Sequence, residues 1–324
     1  MSATSLSPGK ARGLQACTDA RGVIAALAID QRGSLRKALA RAGGRDASAV
    51  SDRDLATFKE AVTRVLTPQA SAVLLDPLFG LEAADHRAAG AGLILAYEKS
   101  GYDATDEHRM PSLLREWSAQ SLKAAGADAV KVLVYYDPAG PAEINEQKHA
   151  FVRQVGEECR EADVAFFLEP VTFTSERDAE AAAEGKPERV TRSIAEWSRP
   201  EYGVDVLKVE VPVAPSWLDA STLDSAAQRE RVLEAFRMAT EASELPLIFL
   251  SAGVDMDLFE RSLELAGEAG ARFHGVLCGR ATWKGGIAAY ASGGEPGLEA
   301  WLRSDGLANI ERLNRALERT ATGL

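Results

Sequence analysis

VDVLKVEV (residues 204–211) is a short, nearly continuous apolar run with Lys208 set in its middle. Runs of this kind are how parallel strands covered on both faces read; a strand with one wet face alternates strictly. Seven more occur along the chain: VIAALAID (23–30), SAVLLDP (71–77), GLILAYE (92–98), AVKVLVYY (129–136), AFFLEP (165–170), PLIFLSAG (246–253) and GVLCGR (275–280). Between them the chain reads as helix. SLLREWSAQSLKAAGA (112–127) sets Leu113, Leu114, Trp117, Ser121 and Leu122 on or near one stripe and stops at Gly126. DLFERSLELAGEAGA (257–271) repeats the pattern with Leu258, Phe259, Leu263 and Leu265, closed by Gly267 and Gly270.

Eight strand signals alternating with helices predict an α/β protein with one (β/α)8 TIM-barrel domain over residues 1–324. Residues 1–20 read as a polar N-terminal extension, and 172–192 and 212–229 as long loops at the C-terminal face. An open doubly wound sheet is the alternative, but no GxGxxG follows the first run.

Composition narrows the function. Acidic residues exceed basic ones, 48 to 37, for a net charge of −11, so a nucleic-acid partner is disfavoured. An anionic substrate would need a local cluster of donors. Three widely spaced cysteines offer neither a disulfide framework nor a zinc ribbon. Four histidines without HxH or HExxH spacing argue against a metal centre, and no GxSxG marks a serine hydrolase. The opening residues lack the apolar core of a signal peptide, and no run reaches the ~18 residues of a membrane span. A cytoplasmic location is expected, with no membrane partner, metal or cofactor.

Period-two alternation puts Val206, Lys208 and Glu210 on one face of the strand and Leu207, Val209 and Val211 on the other. The apolar face belongs against the helices, so Lys208 should point into the barrel. Burial of an unpaired ammonium drives its pKa down, towards the neutral amine that Schiff-base chemistry requires. The alternative is a lysine paired with a carboxylate such as Glu210, and spacing leaves both open. Lys131 repeats the anomaly between Val130 and Val132. Glu169 ends AFFLEP and Asp30 ends VIAALAID, so two lysines and two carboxylates should converge at one barrel mouth. Asp76 and Glu98 are further polar ends, of the second and third runs. At the last two, Gly253 and Gly279 allow close backbone approach, and Arg280 can fork onto a phosphate.

Taken in order, AIDQRGSLR (28–36), LLDPLFGLEAAD (74–85), LAYEKSGYD (95–103), EWSAQSLKAAGADAVKVLVYYD (116–137), FFLEP (166–170), DVLKVEVPV (205–213), LSAGV (250–254) and GVLCGRATW (275–283) resemble the class I tagatose 1,6-bisphosphate aldolases. The resemblance implies metal-free cleavage of a ketohexose 1,6-bisphosphate through a lysine Schiff base. Its products would be dihydroxyacetone phosphate and glyceraldehyde 3-phosphate. It further implies that Lys208 is the Schiff-base lysine, Glu169 the proton-transfer carboxylate, and Asp30 and Lys131 an assisting pair. Gln31, Ser251, Gly253, Gly279 and Arg280 would bind the substrate and its C1 phosphate. Lys186, Arg189 and Arg192 are candidates for the distal phosphate. The expected partner is a phosphorylated ketose, and homo-oligomerisation is expected from the resemblance alone. A related branch acts on 6-deoxy-6-sulfofructose 1-phosphate, and a barrel kept as a sugar-phosphate sensor is the alternative without turnover.

Overall fold

The computed structural model describes residues 6–99 and 108–324, so LAYEKSGYD beyond Lys99 lies outside the described residues. Eight parallel strands form the barrel: β1 (Ile24–Ala28), β2 (Ala72–Leu75), β3 (Gly92–Ala96), β4 (Ala129–Tyr136), β5 (Ala165–Thr172), β6 (Val206–Glu210), β7 (Leu247–Leu250) and β8 (Gly275–Cys278). They close in sequence order, with β8 pairing back onto β1. Each apolar run therefore supplies one stave, as the continuous-run reading requires.

The pleat divides each strand between two cores. Outward-facing side chains are large, for example Val130, Val132, Phe166, Leu168, Leu207 and Phe249, and they pack against the helices. The interior is lined by smaller ones: Ala26, Ala28, Ala72, Ala96, Ala129 and Ala165, with Phe167, Val206, Ile248 and a few others. Small side chains inside leave volume for long ones, and the lysines take it.

Several expectations are corrected. The polar stretch 1–20 contains a helix, Pro8–Ala16, that closes the N-terminal end of the barrel with Leu14 and the following Cys17. It docks by backbone approach: a Cβ at Gly13 would lie 2.1 Å from the Asp128 carbonyl oxygen. Lys10 Nζ is also 2.8 Å from Asp205 Oδ2, both side chains buried. The helix expected over 112–127 spans only Ala119–Ala124. Ser118 caps it by accepting the Ser121 N–H, and the preceding Leu113 forms an antiparallel bridge with Glu98. The helix expected over 257–271 runs from Met256 to Glu268. Gly270, at φ +69°, follows its end, while Gly267 lies inside it against Thr320. The stretch 172–192 is mostly helical, as Ala179–Glu184 and Lys186–Trp197. Residues 212–229 hold two short turns of helix and the start of Ala226–Glu241. Among the described residues, no helix is long and apolar enough to cross a membrane.

Candidate active site

Strand register determines which side chains meet. Phe167 of β5 lies beside Val206 of β6, so two residues further on Glu169 stands level with Lys208. Lys208 Nζ is accordingly 2.9 Å from Glu169 Oε2. The partner is thus Glu169 and not Glu210, whose Oε2 accepts the Thr172 backbone N–H and hydroxyl, with Lys186 3.8 Å from its Oε1. Lys131 pairs in register with Ala96 of β3 and Phe167 of β5, one layer below Glu98 and Glu169. Its side chain rises between them. Nζ lies 2.7 Å from Glu98 Oε1, 2.7 Å from Glu169 Oε2 and 3.0 Å from Asp30 Oδ2.

Lysines and carboxylates are buried together, so each sets the other's charge. Burial opposes the Lys131 ammonium, but Asp30, Glu169 and Glu98 lift its pKa well above the usual lysine value. Burial likewise works to raise Glu169 and Asp30; the Lys131 and Lys208 charges outweigh it and hold both below their ordinary values. Glu98 goes the other way. Burial pushes it up, Lys131 only partly offsets this, and the Asp30 charge adds to the rise.

The β7–β8 corner brings the remaining candidates together. Gly253 has φ +82°, and a Cβ there would lie 2.7 Å from Arg280 Cζ, so the guanidinium rests directly on the glycine backbone. Ser251 is buried at the end of β7 and bonds Cys278, a thiol that burial pushes up to about 12. Gln31 Nε2 donates to Asp30 Oδ1 at 3.2 Å and lies 3.4 Å from where a Gly279 Cβ would sit. It thereby spans the ends of β1 and β8, and its buried Oε1 has no hydrogen-bond partner among the described residues. Exposed guanidinium, open glycine backbone and a hydroxyl are what an anionic oxygen cluster needs.

The distal candidates separate. Burial, with the Arg189 charge adding and Glu210 opposing, lowers the pKa of Lys186. Arg189 donates to the Ala182 carbonyl, and Arg192 turns to the Pro138 carbonyl and Glu188. Of the three, Lys186 alone pairs with a carboxylate at the end of a barrel strand.

Sequence reading singled out Asp76 as the polar end of the second run but missed the supporting layer to which it belongs. Lys59 and Asp76 form a 2.6 Å ion pair with neither side chain exposed, and Lys59 Nζ also bonds the Ile29 carbonyl at 2.5 Å, one residue before Asp30. Trp283 Nε1 holds the Ala28 carbonyl at 2.9 Å. Lys284 donates to the Gly253 carbonyl at 3.3 Å and pairs with Asp255. Glu98, already read as the polar end of the third run, continues the inward parity of Ile94 and Ala96.

Comparison with known proteins identifies the family. Residues 24–285 match the family described as DeoC/LacD family aldolase. The chain is 46% identical over 321 residues to tagatose 1,6-diphosphate aldolase 2 of Enterococcus faecalis, covering 98% of this chain and 96% of that one. It is 44% identical to the tagatose 1,6-diphosphate aldolase of Listeria monocytogenes, covering 98% and 94%. With tagatose 1,6-diphosphate aldolase 1 of Streptococcus pyogenes it shares 45% over 306 residues, 93% of each chain. A fructose-bisphosphate aldolase of Plasmodium falciparum superposes with a TM-score of 0.73 over 99% of this chain and 98% of that one, at 15% identity, a likeness of fold. With a closed eight-stranded barrel and relatives of this identity over nearly its whole length, the chain belongs to the DeoC/LacD family of aldolases.

Proposed function

We propose that this chain is a class I aldolase that cleaves D-tagatose 1,6-bisphosphate to dihydroxyacetone phosphate and glyceraldehyde 3-phosphate. The observation that carries the reading is Lys208, buried inside the barrel mouth with its Nζ 2.9 Å from Glu169 Oε2. A buried amine beside an ionised carboxylate has what imine formation needs: a nucleophile and a group to take and return its proton. Kinship with proteins named tagatose 1,6-diphosphate aldolase supports the substrate.

In this mechanism Lys208 adds to the C2 ketone, and loss of water gives a protonated imine that serves as the electron sink. Glu169, directly or through water, takes the C4 hydroxyl proton as the C3–C4 bond breaks. The aldehyde leaves, the enamine is protonated at C3, and hydrolysis frees the ketone and Lys208. Lys131 keeps Glu169 and Asp30 ionised, and Asp30 orients the substrate hydroxyls. The β7–β8 corner of Ser251, Gly253, Gly279 and Arg280, with Gln31 beside it, receives the C1 phosphate. Lys186 is the favoured distal phosphate ligand, being half-buried near the mouth with the Glu210 carboxylate 3.8 Å away. The enzyme is read as a cytoplasmic homo-oligomer, by family resemblance and by the intracellular nature of sugar bisphosphates.

Borohydride reduction in the presence of tagatose 1,6-bisphosphate, followed by mass mapping, tests the reading. An adduct on Lys208 is expected. No adduct with tagatose, fructose or sulfofructose phosphates would overturn it.

A further inference from the structure

Glu98 is the carboxylate the mechanism leaves unused. It lies just beyond β3, 5% exposed, and its backbone is fixed on both sides: it bridges Leu113, and its carbonyl accepts the Arg32 Nη2–H at 2.6 Å. Its two carboxyl oxygens differ. Oε1 accepts from Lys131 at 2.7 Å, whereas Oε2 is buried and has no hydrogen-bond partner among the described residues.

Charge balance in the cluster explains the asymmetry. Three carboxyl groups, from the ends of β1 and β3 and from β5, crowd Lys131, and the neighbouring Lys208 pairs with Glu169. Asp30 and Glu169 each feel both lysines. Glu98 has Lys131 and the more distant Arg32 guanidinium, which gives its hydrogen bond to the backbone carbonyl and not to the carboxyl group. A bare, buried anionic oxygen is costly, and a protonated one much less so. Lys131 gives hydrogen bonds to Glu98 Oε1 and Asp30 Oδ2, and Glu169 Oε2 is held as an ion pair 2.7 Å from its Nζ, so its three N–H groups face three carboxyl groups.

We propose that Glu98 is a positioning residue held as a neutral carboxylic acid: Oε1 fixes the Lys131 ammonium between Asp30 and Glu169 without spending its charge. A third anion there would compete with Glu169 and Asp30 for the Lys131 charge, which together with Lys208 keeps them ionised. A neutral acceptor aims Lys131 and leaves its field to the two working carboxylates. The inference rests on the aldolase reading for its consequence and on Glu98's own surroundings for its protonation.

Two substitutions and one spectrum test it. Glu98→Gln keeps a neutral acceptor for Lys131, and kcat for tagatose 1,6-bisphosphate should stay within about threefold of wild type. Glu98→Leu removes the acceptor; kcat should fall at least tenfold with KM little changed, a split that general loosening of the fold would not produce. Infrared difference spectra of wild type against Glu98→Gln at neutral pH should show the loss of a protonated-carboxyl band. Impairment of Glu98→Gln equal to that of Glu98→Leu, full activity of Glu98→Leu, or loss of a carboxylate band instead would overturn the proposal. If Glu98→Leu does not fold, Glu98→Gln and the spectrum still decide. A wild-type protein that cleaves no ketose bisphosphate would sink the aldolase reading, while the infrared band would still report on Glu98.

Discussion

Lys208 and Lys131 converge on one oxygen: Glu169 Oε2 lies 2.9 Å from the first Nζ and 2.7 Å from the second. Two cations on a single carboxylate oxygen keep it ionised and place a proton acceptor beside the nucleophile. Glu169→Gln keeps the shape and removes that function. We expect kcat to fall by about 10²–10⁴, the range usual for losing a positioned acid–base group, with the borohydride adduct still forming slowly. Lys208→Ala should give neither adduct nor turnover; near-normal cleavage by it would refute the assignment.

Acid sensitivity should report the hub lysine. Asp30 and Glu169 have folded-state pKa values below their unfolded ones. Their contribution to stability is therefore present above the ordinary carboxylate pKa of about 4 and is lost as pH falls through the lower folded values. Lys131→Met removes the cause, so the loss should begin at a higher pH. Urea midpoints measured across the acid range would show this, and coincident profiles would contradict it.

The buried pair beneath the site should be costly to break from one side. Lys59→Met leaves the Asp76 carboxylate fully enclosed without its cation. A loss of about 3–5 kcal/mol is expected from denaturant unfolding. Lys59→Met combined with Asp76→Asn should recover much of it; strictly additive losses would mean that the two groups do not act as a pair.

At the β7–β8 corner, Gly253→Ala should weaken substrate binding twice over. The backbone holds φ +82°, and the added methyl would meet Arg280 Cζ at 2.7 Å. Arg280→Ala removes charge-assisted hydrogen bonds of about 1.5–3 kcal/mol, so KM should rise roughly tenfold to a hundredfold with a smaller change in kcat. An unchanged KM in both variants would move the phosphate elsewhere.

Chelation should leave turnover untouched, because the Lys131 ammonium fills the space among Asp30, Glu98 and Glu169 that a cation would need. Inhibition by EDTA that zinc restores would count against this site.

How much of this could be read beforehand follows from what each signal depends on. Lys208, Lys131, Glu169 and Asp30 were visible because a charged residue inside or ending an apolar strand run has few places to point. The partner of Lys208 was not: Glu169 lies on the next strand, and only the β5–β6 register sets the two level. The segment 172–192 read as loop because its helices are built of Ala, Glu and Arg with few large apolar residues. The capping box of Ser118 and Ser121 marks where the helix beginning at Ala119 starts, and the apolar stripe over 112–127 concealed it. Asp76 showed as the polar end of the second run, but its partner Lys59 was out of reach, since a helix lysine reveals its burial only through the packing of that helix.

The helix that seals the barrel floor precedes all eight strands in the chain. Its seat, however, is built from Asp128, Asp163 and Asp205, residues made much later. During synthesis Pro8–Ala16 therefore has nowhere to dock until most of the strands exist, and its glycines and buried lysine stay exposed to the cell in the meantime. A floor plugged by a helix that precedes β1 is completed only when Asp205, just before β6, has emerged, which makes its closure a late event in biosynthesis.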